Sequence, residues 1–155
     1  GLKSLKAKID SQDLGNIHLL PFGNKEKVKE LLAVADMAFV SFAHLPVLKT
    51  NSPNKFFDAI AAGKAILVNH KGWVYQMVNE HHLGIFFNPS APEEALDKIQ
   101  TLAQNPAALA LCQQNSRKLA EQYFSDETAV KKLLAVLYPD RFGKATSDEA
   151  YILTA

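Results

Sequence analysis

Cysteine occurs once in this chain of 155 residues, tryptophan once, and neither sign of charge predominates. The lone Cys112 excludes an internal disulfide and any cysteine-built zinc cluster, which suits a reducing compartment. Lysine and arginine number 17 against 16 aspartates and glutamates. Such a balance makes no electrostatic case for nucleic acid, and no basic stripe with interleaved aromatics appears. No apolar run approaches the roughly 20 residues needed to span a bilayer. The opening GLKSLKAKID is a lysine-rich amphipathic stretch, not the charged head and apolar block of a secretory signal. Neither a G-x-G-x-x-G turn after a predicted strand nor a Walker lysine motif is found, which argues against a dinucleotide cofactor. These absences predict a soluble, cytoplasmic protein with no nucleic-acid partner.

What is present is ordinary globular composition, 48% hydrophobic and 21% charged, enough for one domain with a real core. Strand and helix patterns alternate. Leu2, Leu5 and Ile9 recur at helical spacing, and IHLLPF (17–22) reads as a short strand. Asn24 is placed to cap a helix whose buried face is Val28, Leu31, Leu32 and Ala35. MAFVSF (37–42) reads as a second strand, apolar nearly throughout, as a strand covered on both faces is, and AILVNH (65–70) and GIFFN (84–88) as a third and fourth. Helices are predicted at 53–62, over WVYQMV, and near 106–122 and 126–138. Another is expected after Ser90, which has capping-box spacing to Glu93, with Leu96, Ile99 and Ala103 facing inward. The fold class is therefore α/β, a Rossmann-like parallel sheet of about four strands with helices on both faces. A doubly wound sheet usually opens on a strand and this chain opens on a helix. The expectation is thus a partial domain, 1–138, lacking its first strands, followed by a tail, 139–155. Ligands of such sheets bind beyond the carboxyl ends of the strands, here the loops 43–52 and 71–73.

The most informative stretch is TNSPNKFFDAIAAGKAILVNH, residues 50–70. Ser52 suits an N-cap, Pro53 the first helical position, and Gly63 a left-handed C-terminal cap, with Phe57, Ile60 and Ala61 packing on the sheet. Lys55 then falls in the first turn, where a cation is unfavourable by about 0.3–1 kcal/mol. Two readings account for it. An anion, such as a phosphate, sits on the helix start and draws amides and ammonium together; or Lys55 is solvated and paired with Asp58 at i,i+3. Asp58, one turn beyond Asn54, suits a vicinal diol such as a ribose. Phosphate at the tip and diol beyond it suggest a nucleotide.

Over roughly residues 5 to 136 the chain resembles the C-terminal, donor-binding domain of family-four glycosyltransferases of GT-B architecture. The resemblance rests on LLAVADMAFVSF, SPNKFFDAIAAGKAILVN, HKGWVYQMV and LGIFFNPSAPEEALDKIQTL, and its wording is similar to a bacterial branch acting in O-antigen and capsule assembly. The family's two glutamates, with seven residues between them, fall here on Thr50 and Asp58, so the first carboxylate is missing and the second is shortened. The usual glycine-rich turn is replaced by Asn51-Ser52-Pro53. The resemblance implies that Thr50, Asn51, Ser52, Pro53, Asn54 and Lys55 face the donor's diphosphate or sugar, that Asp58 faces the ribose, and that the loop with Gly72 and Trp73 borders the donor, with plain packing an equal reading of Trp73. The PFGN turn (21–24) would lie near the base. It further implies a UDP- or GDP-linked donor, no metal, retention of configuration, and a glycan or lipid-linked acceptor. A missing N-terminal domain would complete the enzyme, peripherally associated with the inner face of the membrane, and this piece alone would be inactive. No catalytic residue is expected within the chain.

Two other classes compete: a nucleotide-sugar epimerase of the same two-domain build, and a stand-alone α/β nucleotide-binding or interaction module. Other constellations carry less. His81 and His82 diverge by about 100° as helix neighbours and read as a solvated helix end, not metal ligands. Cys112 shares a face with Ala108, Asn115 and Leu119 and reads as packing. His44 and His70 each follow a strand at its ligand-facing end and read as loop residues.

Overall fold

The computed structural model describes residues 1–43 and 45–143; His44 and residues 144–155 of the expected tail lie outside the described residues. Backbone contacts divide the chain into two compact units, Gly1–Glu30 and the chain from Leu31 onward.

The first unit holds α1 (Leu2–Ser11), an irregular segment, and the start of α2 (Lys25–Val34). Asn24 caps α2 as expected, its Oδ1 accepting from the Lys27 N–H at 3.0 Å. Residues 17–22 are not a strand. Ile17, Leu19, Leu20 and Phe22 are exposed. A run this short is apolar enough for a strand, but without a ladder partner its backbone has nothing to pair with. The expected face of α2 is likewise only partly covered, with Val28 and Leu31 exposed and no residue of the helix fully buried.

The second unit is α/β. Its sheet has three parallel strands, β1 (Met37–Val40), β2 (Ala65–Val68) and β3 (Gly84–Phe86), in the order β1-β2-β3. Met37 to Val40 pair with Ala65 to Val68, and Ile66 to Val68 pair with Gly84 to Phe86. Three strands, not four, are formed among the described residues. Successive residues Ala65 and Ile66 of the central strand are both wholly buried. Because neighbours on a strand point to opposite faces, the sheet is covered on both sides, as an all-parallel sheet requires.

A short 3-10 helix (Pro46–Thr50) follows β1, and α3 (Asn54–Ala61) leads into β2. Next come α4 (Trp73–Glu80), α5 (Pro92–Ala103), α6 (Pro106–Tyr123), α7 (Asp126–Leu137) and the four-residue α8 (Pro139–Phe142). α3 and α6 pack on each other and on β2, while α4 and α5 pack on β3. The core gathers Phe56, Ile60, Ile66, Met77 and Leu83, all below 2% exposed. Burial of one such side chain contributes about 1.5–3 kcal/mol.

Three local expectations shift. Pro53, not Ser52, is the N-cap of α3. The helix therefore starts one residue later, and its buried face is Phe56, Ala59 and Ile60, with Phe57 half-buried and Ala61 exposed. At α5 the Ser90–Glu93 capping box does not form: Pro92 takes the first helical position, Ala91 becomes the cap, and the Ser90 N–H turns back to Asn88 Oδ1 at 3.1 Å. The inward residue of α5 is Ala95, with Ile99 and Leu102 half-buried, whereas Leu96 and Ala103 are exposed.

Two helices end in the same way with different residues. After α3, Gly63 is left-handed (φ 63°), its N–H bonds to the Ile60 carbonyl, and Lys64 N–H bonds back to Ala59. After α4, His82 takes that place (φ 53°), bonding to Asn79, while Leu83 bonds back to Val78. Both are Schellman closures, in which a Cβ at the left-handed position is strained. His82→Gly is expected to stabilise the protein by about 0.5–1 kcal/mol after allowing for the greater freedom of unfolded glycine. Urea unfolding at equilibrium checks this; an unchanged or lower midpoint contradicts it.

Candidate functional site

The carboxyl ends of the strands are held by side chains that bond to main chain far away in sequence. Asn69, the first residue after β2, donates from Nδ2 to the Phe42 carbonyl at 3.0 Å and accepts the Phe42 N–H on Oδ1 at 2.8 Å. Its amide thus imitates one more ladder pair and fixes the loop leaving β1 against the loop leaving β2.

Lys55 stands on the first turn of α3, as expected, and its Nζ donates to the Ser41 carbonyl at 2.8 Å and lies 5.1 Å from the centre of the Phe42 ring. The Lys55 ammonium is turned to Ser41 and Phe42, and the alternative pairing with Asp58 is not formed. A carbonyl dipole and an aromatic face offset the unfavourable field of the helix start. Two further N–H groups of the ammonium remain for a ligand.

Pro53 is buried and offers no side-chain oxygen to the helix it caps. The first amides of α3, at Asn54 and Lys55, are thereby left without a side-chain cap. Ser52, Asn54, Lys55 and Asp58 are all exposed. Thr50 ends the 3-10 helix, its Oγ1 donating to the Val47 carbonyl at 3.2 Å. Asn51 is also exposed, and its carbonyl receives the indole N–H of Trp73 at 2.8 Å.

Trp73 and Gly72 serve the scaffold. The indole stands edge-on to Phe56 (5.5 Å between centres) and stacks on Phe57 (5.9 Å), which in turn meets Phe124 at 5.1 Å. Gly72 is the N-cap of α4, in extended backbone. A Cβ there would fall 2.5 Å from the Lys49 carbonyl oxygen. The close approach that glycine permits is thus occupied by the chain's own 3-10 helix.

A cavity of about 290 Å³ opens between the 3-10 helix and the ends of β2 and β3. Lys49, Asn69, His70, Lys71 and Asn88 contribute its polar residues. None of residues 50–58, nor Gly72 or Trp73, lines it. The expected donor residues therefore gather at the start of α3 and beside the Trp73 cluster, and this cavity is separate from them. Sequence reasoning singled out its neighbourhood through the rule of the carboxyl ends, but Asn69, the burial of His70 and the two lysines went unremarked. Only the placement of His70 directly after a strand signalled it.

The remaining candidates read as structure. His82 ends α4 in solvent and His81 meets Tyr123, 6.4 Å between ring centres. The Cys112 thiol is pushed above its ordinary range by burial, against a weaker opposing backbone hydrogen bond. A thiol so held is a poor nucleophile at neutral pH. No helix among the described residues is long and apolar enough to cross a membrane.

The Trp73–Asn51 bond ties the segment before α3 to the start of α4. Trp73→Phe retains ring contact but removes the donor, and is expected to cost about 1 kcal/mol in urea unfolding, with faster proteolytic cleavage between residues 45 and 53. Unchanged stability and cleavage contradict that role.

Comparison with known proteins gives one family. No curated protein and no solved structure matches the chain. The model of the family described as "Glycosyl transferases group 1" matches residues 1–119, most of the chain. With a parallel α/β sheet and an uncapped helix start exposed beside its strand ends, the chain belongs to the group 1 glycosyl transferases.

Proposed function

We propose that this chain is the C-terminal, donor-binding part of a family-four glycosyltransferase of the O-antigen and capsule branch. The complete enzyme moves a sugar from a UDP- or GDP-linked donor to a glycan or lipid-linked acceptor, with retention of configuration. The observation that carries the reading is the start of α3: exposed, without a side-chain cap, and bearing Lys55. Orphan amides with an adjacent ammonium attract a diphosphate, and the attraction grows as the leaving group gains charge. Charge stabilisation of this kind is supplied by the chain itself and calls for no metal ion.

Each residue then has a part. The amides of Asn54 and Lys55 meet phosphate oxygens, and the segment Thr50-Asn51-Ser52-Pro53 borders the donor sugar. The Lys55 ammonium keeps one hydrogen bond to Ser41 and turns another to the diphosphate. Asp58, exposed one turn further along α3, accepts from the ribose hydroxyls and does no proton chemistry. Thr50 offers a neutral hydroxyl where the family's pattern has a carboxylate, so donor-sugar recognition is weaker in charge here than in that pattern. Gly72 and Trp73 act through the scaffold, holding the segment before α3 in place. The acceptor is held by a facing N-terminal domain, and the complete enzyme works from the cytoplasm at the inner face of the membrane.

Titration calorimetry with UDP- and GDP-sugars tests the assignment. The wild-type chain is expected to bind one of the two series. Asp58→Ala should abolish the heat, and Lys55→Ala should weaken binding about ten-fold or more, the effect of losing a charge-assisted hydrogen bond. Equal affinity in all three proteins, or no heat from any nucleotide-sugar, contradicts it.

A further inference from the structure

A lysine that receives a ligand does so at the end of a long, flexible stem. Ordering that stem at the moment of binding costs rotamer freedom and weakens the complex. Lys55 is ordered beforehand, by two neighbouring residues of the loop after β1. The Ser41 carbonyl accepts from its Nζ at 2.8 Å, and the centre of the Phe42 ring lies 5.1 Å away. Whatever fixes Ser41 and Phe42 therefore fixes the ammonium.

The ladder register shows what does so. Met37 stands opposite Ala65, and the Asp36 carbonyl accepts from the Ala65 N–H. Main-chain groups then alternate along a parallel strand: Asp36, Ala38 and Val40 face β2, while Met37, Phe39 and Ser41 face outward. Phe42 is the next residue in line to face β2, but β2 ends at Val68. Asn69 fills the gap with its side chain, whose amide carries a donor and an acceptor side by side as a peptide does. It takes both main-chain groups of Phe42, at 2.8 and 3.0 Å. Ser41, caught between Val40 and Phe42, is thereby held with its carbonyl outward, where Lys55 meets it. Among the described residues, the further hydrogen bonds to the main chain of 41–43 are those of Lys55 to Ser41 and of Leu45 to Ala43. His70 adds packing only. It is 7% exposed, its ring lies 5.6 Å from that of Phe42 between centres, and its buried Nε2 has no hydrogen-bond partner among the described residues.

We propose that Asn69 is a positioning residue of the donor site: by fixing Phe42 it holds the Lys55 ammonium beside the first amides of α3, ready for the diphosphate. The inference rests on the donor reading above and adds a residue that lies outside the start of α3. Asn69 touches no donor atom. It acts through Phe42 and Ser41 on Lys55, so its contribution to binding exists only while Lys55 is present.

The test joins NMR of the ligand-free chain to titration calorimetry. In the wild type, the Lys55 ε-methylene protons are expected upfield of those of the other lysines, shifted by the Phe42 ring current. In Asn69→Ala, and in the bulkier Asn69→Leu, which keeps the space filled, they should return to the ordinary lysine position. Whichever of UDP and GDP binds the wild type is then titrated through a double-variant cycle. Asn69→Leu should raise the Kd about five-fold when Lys55 is present and change it by less than about two-fold in Lys55→Ala. A residue serving the scaffold alone weakens binding by the same factor in both backgrounds. That result overturns the proposal, as do Lys55 signals that stay upfield in both Asn69 variants. If the wild type binds neither nucleotide, the donor reading falls and the diphosphate with it, while the Lys55 signals still decide whether Asn69 places the ammonium.

Discussion

Main-chain groups held by distant side chains are what the carboxyl edge of this sheet depends on. Asn69 bonds both ways to Phe42, Trp73 to the carbonyl of Asn51, and Lys55 to the carbonyl of Ser41, while Gly72 lets the backbone of Lys49 close in. Each contact joins a loop to another loop or to a helix start, and none belongs to the core. The core itself is ordinary: a three-stranded parallel sheet whose central strand is covered on both faces. It positions the edge, and the four contacts decide what the edge looks like.

Lys55 shows how such a contact changes a chemical argument. A lysine in a helix's first turn looked anomalous, and an anion or a partner at Asp58 each removed the anomaly. The protein uses a third solution, a carbonyl and an aromatic ring from the loop after β1. That removes the need for a ligand to explain the residue, and it also holds an ammonium in place with spare N–H groups next to uncapped amides. The donor reading therefore rests on the exposed helix start and the family, and no longer on an unexplained charge.

Much of the fold was legible because it is governed by near neighbours. The Asn24 cap, the left-handed Gly63, the strands at 37–40, 65–68 and 84–86, and the long helices after 106 and 126 all follow from local pattern. Where the reading failed, a competing local choice won. Pro53 became the cap instead of the first helical residue, and packing on the sheet and α6 buries Phe56, Ala59 and Ile60 of α3. Pro92 did the same to the capping box at Ser90. Residues 17–22 were apolar enough for a strand but have no ladder, and a strand exists only through its partner. Residue types at the start of α3 could be read directly, whereas the Asn69–Phe42 and Trp73–Asn51 bonds link residues 27 and 22 apart and no local pattern encodes them. His70 was visible as a position and illegible as a buried, unpaired nitrogen.

The account turns on whether the start of α3 receives a nucleotide diphosphate. Amide NMR of the chain titrated with UDP and GDP measures that residue by residue. The prediction is that the N–H signals of Asn54, Lys55 and Phe56 move first and furthest with one of the two nucleotides, with Asp58 following. Shifts confined to other parts of the chain, or a start of α3 that stays silent at saturating nucleotide, would contradict it.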